Sequence, residues 1–509
     1  MKKRHLASAL ALVAAASLVL AGCSAGSSDD TKTPGATAEQ LVVAVDLAPT
    51  GGWDPSGWTW ATSAQIMQAA YASLLNGKAD GGYEAGLATE WGWESPTEFQ
   101  MKLREGVTFT DGTPFDAEAV KVNLEHFKAS DGRSATLIKN LENIEIVNDH
   151  EVVLHWSAPQ PDLEMLFTQH IGMMASPKAL GTDVLLKEPV GAGPYTLVTD
   201  KTVPDSTYTF KKNPDYWDAK NIPFETMVFR IMADGQAAFN ALQSGQVDVT
   251  WGSVENLDAA KSAGLKVFET PGKTLVMYFV DGTGQEVPAQ GDVRVRQALN
   301  YAVDRDAIAK NLLPGRPTSQ FLTPDTDAYD PKLDDFYKYD PEKAKKLLAE
   351  AGYANGLELT VNTYPGLADA VAAMAGYFEK VGVKVNIKTD PFAEFIQASI
   401  AGNNPLTVTS LSSAGTAADI QGTILPDGSR NARHNSSDTI NKLWAEALQQ
   451  TGAEQKKTFQ KISRASIEEA WMVTVEQLTD YSFYDAKVTG MERPRGHQRP
   501  SILFMKPAE

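Results

Sequence analysis

Along the chain, apolar residues fall into two alternating rhythms, one of period two and one near 3.6, and each predicts an element. The short β-branched run Leu41 to Leu47 (LVVAVDL) reads as a buried strand, followed by a loop rich in Pro, Gly and Trp from Pro49 to Trp60. Asp116 is placed to cap a helix that carries Val120, Leu124 and Phe127 on one face. A second helix has Val295, Ala298, Leu299, Ala302 and Val303 in register, and Asp304 restarts the chain into another. In a third, Asp340 caps, Pro341 takes the first helical position, Ala344, Leu347, Leu348 and Ala351 form the apolar stripe, and Gly352 stops it. The stretch LELTVNTY from Leu357, a helix carrying Val371, Met374, Phe378 and Val381, and the alternating VKVNIKT from Val383 together predict a βαβ crossover and hence a parallel pair. The expected class is α/β with mixed sheets in more than one lobe.

The first forty residues follow neither rhythm. Lys2, Lys3 and Arg4 precede an apolar run from Leu6 to Leu20 that is short for a bilayer span, the layout of a secretory signal. The run ends in Leu20-Ala21-Gly22-Cys23, which resembles a lipobox; cleavage after residue 22 would leave Cys23 to carry the lipid. Residues 1–22 are therefore expected to be a lipoprotein signal peptide. Residues 23–40, rich in Ser, Gly, Thr and Asp, are expected to form a flexible tether. Such a chain would sit on the outer face of the cytoplasmic membrane, held there by the lipid.

Composition narrows the chemistry. The chain has 509 residues, 43% hydrophobic and 22% charged, enough for two or three packed lobes. With 46 basic against 64 acidic residues the formal charge is −18, which argues against a nucleic-acid partner. Cys23 is the sole cysteine, so neither an intramolecular disulfide nor a cysteine zinc site can form. Seven scattered histidines offer no metal-binding spacing, and His150 and His155 would face opposite sides of a strand. The acidic stretch DTDAYDPKLDD from Asp325 departs from a calcium loop at Tyr329 and Asp330 and reads as a solvated loop. No GxSxG elbow occurs, and Gly191-Ala192-Gly193-Pro194 lacks the Lys-Ser/Thr pair of a phosphate loop. A carboxylate pair suited to hydrolysis stays open, because its separation is a property of the fold.

Three blocks carry a family resemblance. The first is GLATEWGWESPTEFQMKLREGVTFTDGTPFDAEAVKVNLEHF from Gly86. The second runs from VGAGPYTLV at Val190 through KKNPDYWDAKNIPFETMVFRI to LQSGQVDVTWG. The third comprises DVRVRQALNYAVDRDAIAKNLLPG from Asp292 and YDPEKAKKLLAEAGYANG from Tyr339. Read in order they resemble extracellular solute-binding protein family 5 of bacterial ABC importers, over essentially the whole chain after the signal.

That resemblance implies a two-lobed clamp of the periplasmic-binding-protein type (type II-like, cluster C) with an added subdomain and two crossing segments as hinge. Lobe I would take residues 41–80, 186–273 and 482–509, the subdomain 81–185 and lobe II 274–481. It also implies a ligand held between lobes, delivery to permease subunits with their own ATPases, no catalysis, no cofactor and no resident metal; a monomer is expected. A peptide is the favoured ligand, an oligosaccharide or nickel chelate the alternatives, and a secreted lipoprotein hydrolase the rival of another class.

In peptide-binding relatives an Asp in lobe II pairs with the ligand ammonium. Asp419 in SSAGTAADIQGTILPDGSRN is the nearest match, although Ile420 stands where Pro is common. Trp53 and Trp58 in the first loop, Trp251 after VDVT and Tyr278 on TLVMYF are the aromatic candidates for the cleft, with core packing as the competing role. Asp281 stands where the family often has Asn, which would alter a contact near the hinge, and Arg430 and Arg433 could meet a ligand carboxylate.

Overall fold

In the computed structural model, which describes residues 38–49, 51–58, 64–131, 133–312 and 315–508, local capping rules set the helix boundaries. The Asp116 carboxylate accepts the Ala119 N–H at 2.9 Å and starts the helix Ala117–Ala129, which buries Val120, Leu124 and Phe127. Asp340 accepts from Lys343 N–H, Pro341 opens the helix Pro341–Glu350, and Gly352 leaves it at φ +95°. Val293–Ala302 buries Val295, Ala298, Leu299 and Ala302, and Asp304 caps Arg305–Asn311. The strands Leu357–Thr363 and Val383–Thr389 pair in parallel, with the helix Ala368–Glu379 as their crossover. One boundary moves. The first strand is Ala38–Val45, so sheet begins within the stretch expected to be tether: Gln40 is exposed, yet its backbone pairs with Thr226, and such pairing needs no apolar side chain. Cys23 and the rest of the stretches expected to be signal and tether lie outside the described residues.

Two long strands, Lys266–Phe279 and Met472–Tyr484, pair antiparallel and run through the middle of an eleven-stranded mixed sheet. Beyond Met472–Tyr484 lie, in order, Val249–Gly252, Ala38–Val45, Phe224–Ile231, Thr207–Lys212 and Tyr195–Leu197. Beyond Lys266–Phe279 lie Leu406–Leu411, Leu357–Thr363 and Val383–Thr389. The ladder between the long strands is interrupted between Pro271 and Thr274. A Cβ on Gly272 would stand 2.9 Å from the Leu478 carbonyl oxygen, so the close approach there requires glycine. A separate four-stranded antiparallel sheet, Ala88–Ser95, Glu98–Leu103, Glu151–Trp156 and Leu141–Asn148, packs beside the helix Ala117–Ala129.

Packing divides the molecule differently from the sheets. One continuous core joins Leu41, Val43, Phe210 and Phe229 of lobe I to Phe99, Val120 and Leu154 of the subdomain. Lobe II has cores of its own on the two faces of its sheet. Leu275, Met277 and Phe279 enter one, while Val276, Tyr278 and Val280 enter the other, the alternation of a strand buried on both sides. By core packing two bodies can be distinguished, termed lobe I with its subdomain and lobe II, and the two long strands take part in both.

Candidate functional site

The bodies meet along a polar seam. From the subdomain, Asp162 places its carboxylate at the first turn of the lobe II helix Thr416–Ile424, where it accepts N–H groups of Thr416 at 3.0 Å, Ala417 at 2.9 Å and Ala418 at 3.1 Å. Gly415, at φ +121°, makes room: a Cβ there would lie 2.7 Å from the Asp162 carboxylate and from the Met165 methyl group. Burial pushes the Asp162 carboxyl up to about 6, against the pull of those three N–H donors and Arg495.

From the chain's last segment, two arginines cross to lobe II. Arg493 grips Asp325 with both terminal nitrogens at 2.7 Å. Arg495 reaches Asp327 at 2.9 Å and Thr416 Oγ1 at 3.2 Å, and its Nε donates to the Asp325 carbonyl. The acidic stretch from Asp325 is therefore not the solvated loop expected from its composition. Its first two carboxylates bridge the bodies, and Asp334 accepts from Thr318 and Tyr329 hydroxyls, each at 2.6 Å. The arginines that hold it lie 168 residues away, beyond any local pattern.

Three chambers along this seam are lined by described residues. Nearest the hinge, one of about 50 Å³ is lined by Gly272, Lys273, Asp325, Ser413 and His497. Farther out are one of about 250 Å³, bordered by Lys139, Asp162, Gln421, Asp427 and Trp444, and one of about 150 Å³ between the subdomain and the loop that follows Gln450.

Of the candidate residues, Asp419 is nearest the seam. It is 4% exposed, and its carboxylate accepts the Ser413 hydroxyl at 2.5 Å and the Ala414 N–H at 2.9 Å, tying down the loop before its own helix. Burial pushes its carboxyl up to about 7, with Asp162 adding to the rise and Arg430 opposing it. Tyr278 is corrected from cleft wall to buttress: it is buried in a lobe II core, and its hydroxyl donates to the Thr423 carbonyl at 2.9 Å, bracing the helix that bears Asp419.

Trp53 and Trp58 are likewise core residues and line none of the three seam chambers. Trp53, 2% exposed, meets Tyr208 and Phe210 edge to face, and Trp58 donates its indole N–H to the Gly52 carbonyl. Trp251 is half-buried beside the Arg499 guanidinium, 5.6 Å from its ring, and its indole N–H has no hydrogen-bond partner among the described residues.

Three more expectations change. Asp281 lies in the turn just past Phe279, at the end of Lys266–Phe279 away from the Pro271–Thr274 interruption, where it accepts N–H groups of Gln285, Glu286 and Val287. Arg433 pairs with Asp281 and Glu286, and Arg430 donates to Thr423 Oγ1 and the Ser412 carbonyl, so both guanidiniums are engaged within lobe II. His150 precedes the strand Glu151–Trp156 instead of lying within it. Among the described residues no group of His, Cys, Asp and Glu side chains is arranged to hold a metal ion, and no helix is long and apolar enough to cross a membrane. Sequence reasoning missed Asp162, Asp325, Asp327, Arg493 and Arg495; the run RPRGHQRP from Arg493 was the available signal, a cationic segment among turn residues.

Comparison with known proteins agrees with this architecture. A putative ABC transporter peptide-binding protein of Brucella ovis is 30% identical over 297 residues, 55% of each chain. The chain thus spans about half the length of the first curated relatives it matches. Heme-binding protein A of Haemophilus influenzae is 28% identical over 75% of this chain and 77% of its own. The solved structure of HbpA2 from Haemophilus parasuis superposes with a TM-score of 0.81 at 21% identity, covering 92% of this chain and all of the other, and shares the two-lobed fold. The family model described as bacterial extracellular solute-binding proteins, family 5 Middle, matches residues 82–426, and the chain belongs to that family.

Proposed function

We propose that the protein is the substrate-binding component of an ABC importer, anchored by a lipid on Cys23 outside the cytoplasmic membrane, and that it captures a peptide in the seam between its bodies. The observation that carries this reading is the chemistry of the seam. Lobe I and its subdomain contribute Arg493, Arg495 and Asp162, whereas lobe II contributes Asp325, Asp327 and a helix N-terminus, so each body presents groups of both signs. A peptide carries an ammonium, a carboxylate and amides between them, and can exchange these contacts one for one. Names among the relatives support the class: one is a putative ABC transporter peptide-binding protein and another a glutathione-binding protein.

Closure follows from differential affinity. A ligand that touches both bodies favours the closed arrangement by as much as it binds that arrangement better, and the permease would read the closed shape. The protein's residues bind and exclude water and carry out no reaction; ATP hydrolysis would belong to separate subunits.

Native mass spectrometry on the purified protein, followed by identification of whatever denaturation releases, tests the reading. Peptide masses are the expected result, and a hexose-spaced series would replace peptide by oligosaccharide. For the anchor, Cys23→Ser is expected to move the protein from the membrane fraction to the soluble one.

A further inference from the structure

The chamber of about 150 Å³ opens between the two bodies, away from the hinge. Its subdomain wall is built from the rings of Tyr83 and Trp93, and its opposite wall from Asp327 and Gln455 of lobe II. Glu164, on the short helix Leu163–Phe167, lines it as well. The chamber's one cation, Arg495, is already engaged by Asp327 and by the Asp325 carbonyl. Glu164 forms no ion pair among the described residues; it accepts hydrogen bonds from the Trp93 side chain and its own backbone N–H, and the carboxylates of Asp162 and Asp327 act on it electrostatically. Burial, and then those two like charges, hold the Glu164 carboxyl above the ordinary range. A partly buried carboxylate with acidic neighbours, facing a space between aromatic rings, is matched by a ligand that brings its own cation. Ring faces attract an ammonium or guanidinium, and an alkyl stem can lie along them. A volume of about 150 Å³ accommodates a benzene-sized guest, which is ample for a four-carbon stem.

We propose that this chamber is a subsite for a basic side chain of the ligand, with the alkyl stem between Tyr83 and Trp93 and the ammonium or guanidinium at Glu164. The inference rests on the peptide reading only in taking the basic group to arrive on a peptide.

The test uses the full chain and two tripeptides, Ala-Lys-Ala and its neutral counterpart Ala-norleucine-Ala, in isothermal titration calorimetry. The lysine peptide is expected to bind about tenfold tighter or more, and Glu164→Gln is expected to bring the ratio close to one. Equal affinities in the unaltered protein, or a ratio that survives Glu164→Gln, overturn the proposal while leaving peptide capture intact. If neither tripeptide binds, the peptide reading fails, and n-pentylammonium decides the chamber through tryptophan fluorescence compared with Trp93→Phe. Saturable quenching that depends on Trp93 and disappears in Glu164→Gln supports the subsite for a basic group from another source. Absence of such quenching overturns it.

Discussion

The subdomain has two junctions, and they are built from different materials. Toward lobe I it shares an unbroken apolar core, in which Phe99 and Leu154 belong with Val43 and Phe229. Toward lobe II it offers Asp162 to three backbone N–H groups, beside the arginine and aspartate pairs that cross the same seam. Apolar burial is gained only on assembly and lost on parting, so the first junction is permanent. Ion pairs exchange water for one another at nearly balanced free energy, so the second can open and close. The lesson is that the working boundary follows the chemistry of the interface and not the division of the sheets.

The largest effect should come from breaking the apolar side. Phe210, fully buried between Trp53 and Phe229, is expected to cost about 3–5 kcal/mol when changed to Ala, read from urea unfolding, with the bodies staying closed.

A polar misfit inside lobe II sharpens the contrast. Glu476 is fully buried on Met472–Tyr484, and both its carboxylate oxygens lack a hydrogen-bond partner among the described residues. Burial pushes it up to about 8. A folded-state value above the unfolded one means stability that is complete below the unfolded value and lost as pH rises through about 8. Glu476→Gln should therefore be more stable than the unaltered protein by about 1–3 kcal/mol, with a gain that widens from pH 5 to pH 9 in thermal melts.

At the seam, Arg493→Ala should cost only about 1–2 kcal/mol, between the values for exposed and buried pairs, and should increase the radius of gyration in small-angle scattering. A loss as large as that for Phe210→Ala, without expansion, would break the comparison. The smallest effect is expected at Asp419. Its value of about 7 is also raised, so its contribution is lost as pH rises through 7, and Asp419→Asn should gain about one degree in melting temperature at pH 8 that it lacks at pH 5.

What could be read from the sequence was what local rules control. Asp116 and Asp340 cap helices through residues three positions away, and the crossover from Leu357 to Thr389 is contained in one short stretch. The seam obeys no such rule. Asp162 and Ala418 are 256 residues apart, as Arg493 and Asp325 are 168, and beyond the cationic run from Arg493 nothing local announces the pairings. The aromatic candidates were ambiguous for a different reason: Trp53 and Tyr278 are as suited to a core as to a cleft, and only the packing around them decides. Asp419 was found through the resemblance, and its hold on Ser413 and Ala414 is the loop-capping role that its type already allowed.

The placement of Met472–Tyr484 at the centre of the sheet has a consequence for biogenesis. Lobe I's strand Val249–Gly252 takes its partner from that late segment, with Val249 opposite Tyr484, and Lys266–Phe279 relies on the same strand. Synthesis runs from the N-terminus, so a growing chain carries both strands as open edges until residues 472–484 emerge. Neither lobe can be finished by its own translation alone, and a chain halted before Met472 would be two unsealed halves prone to join with strands of other molecules.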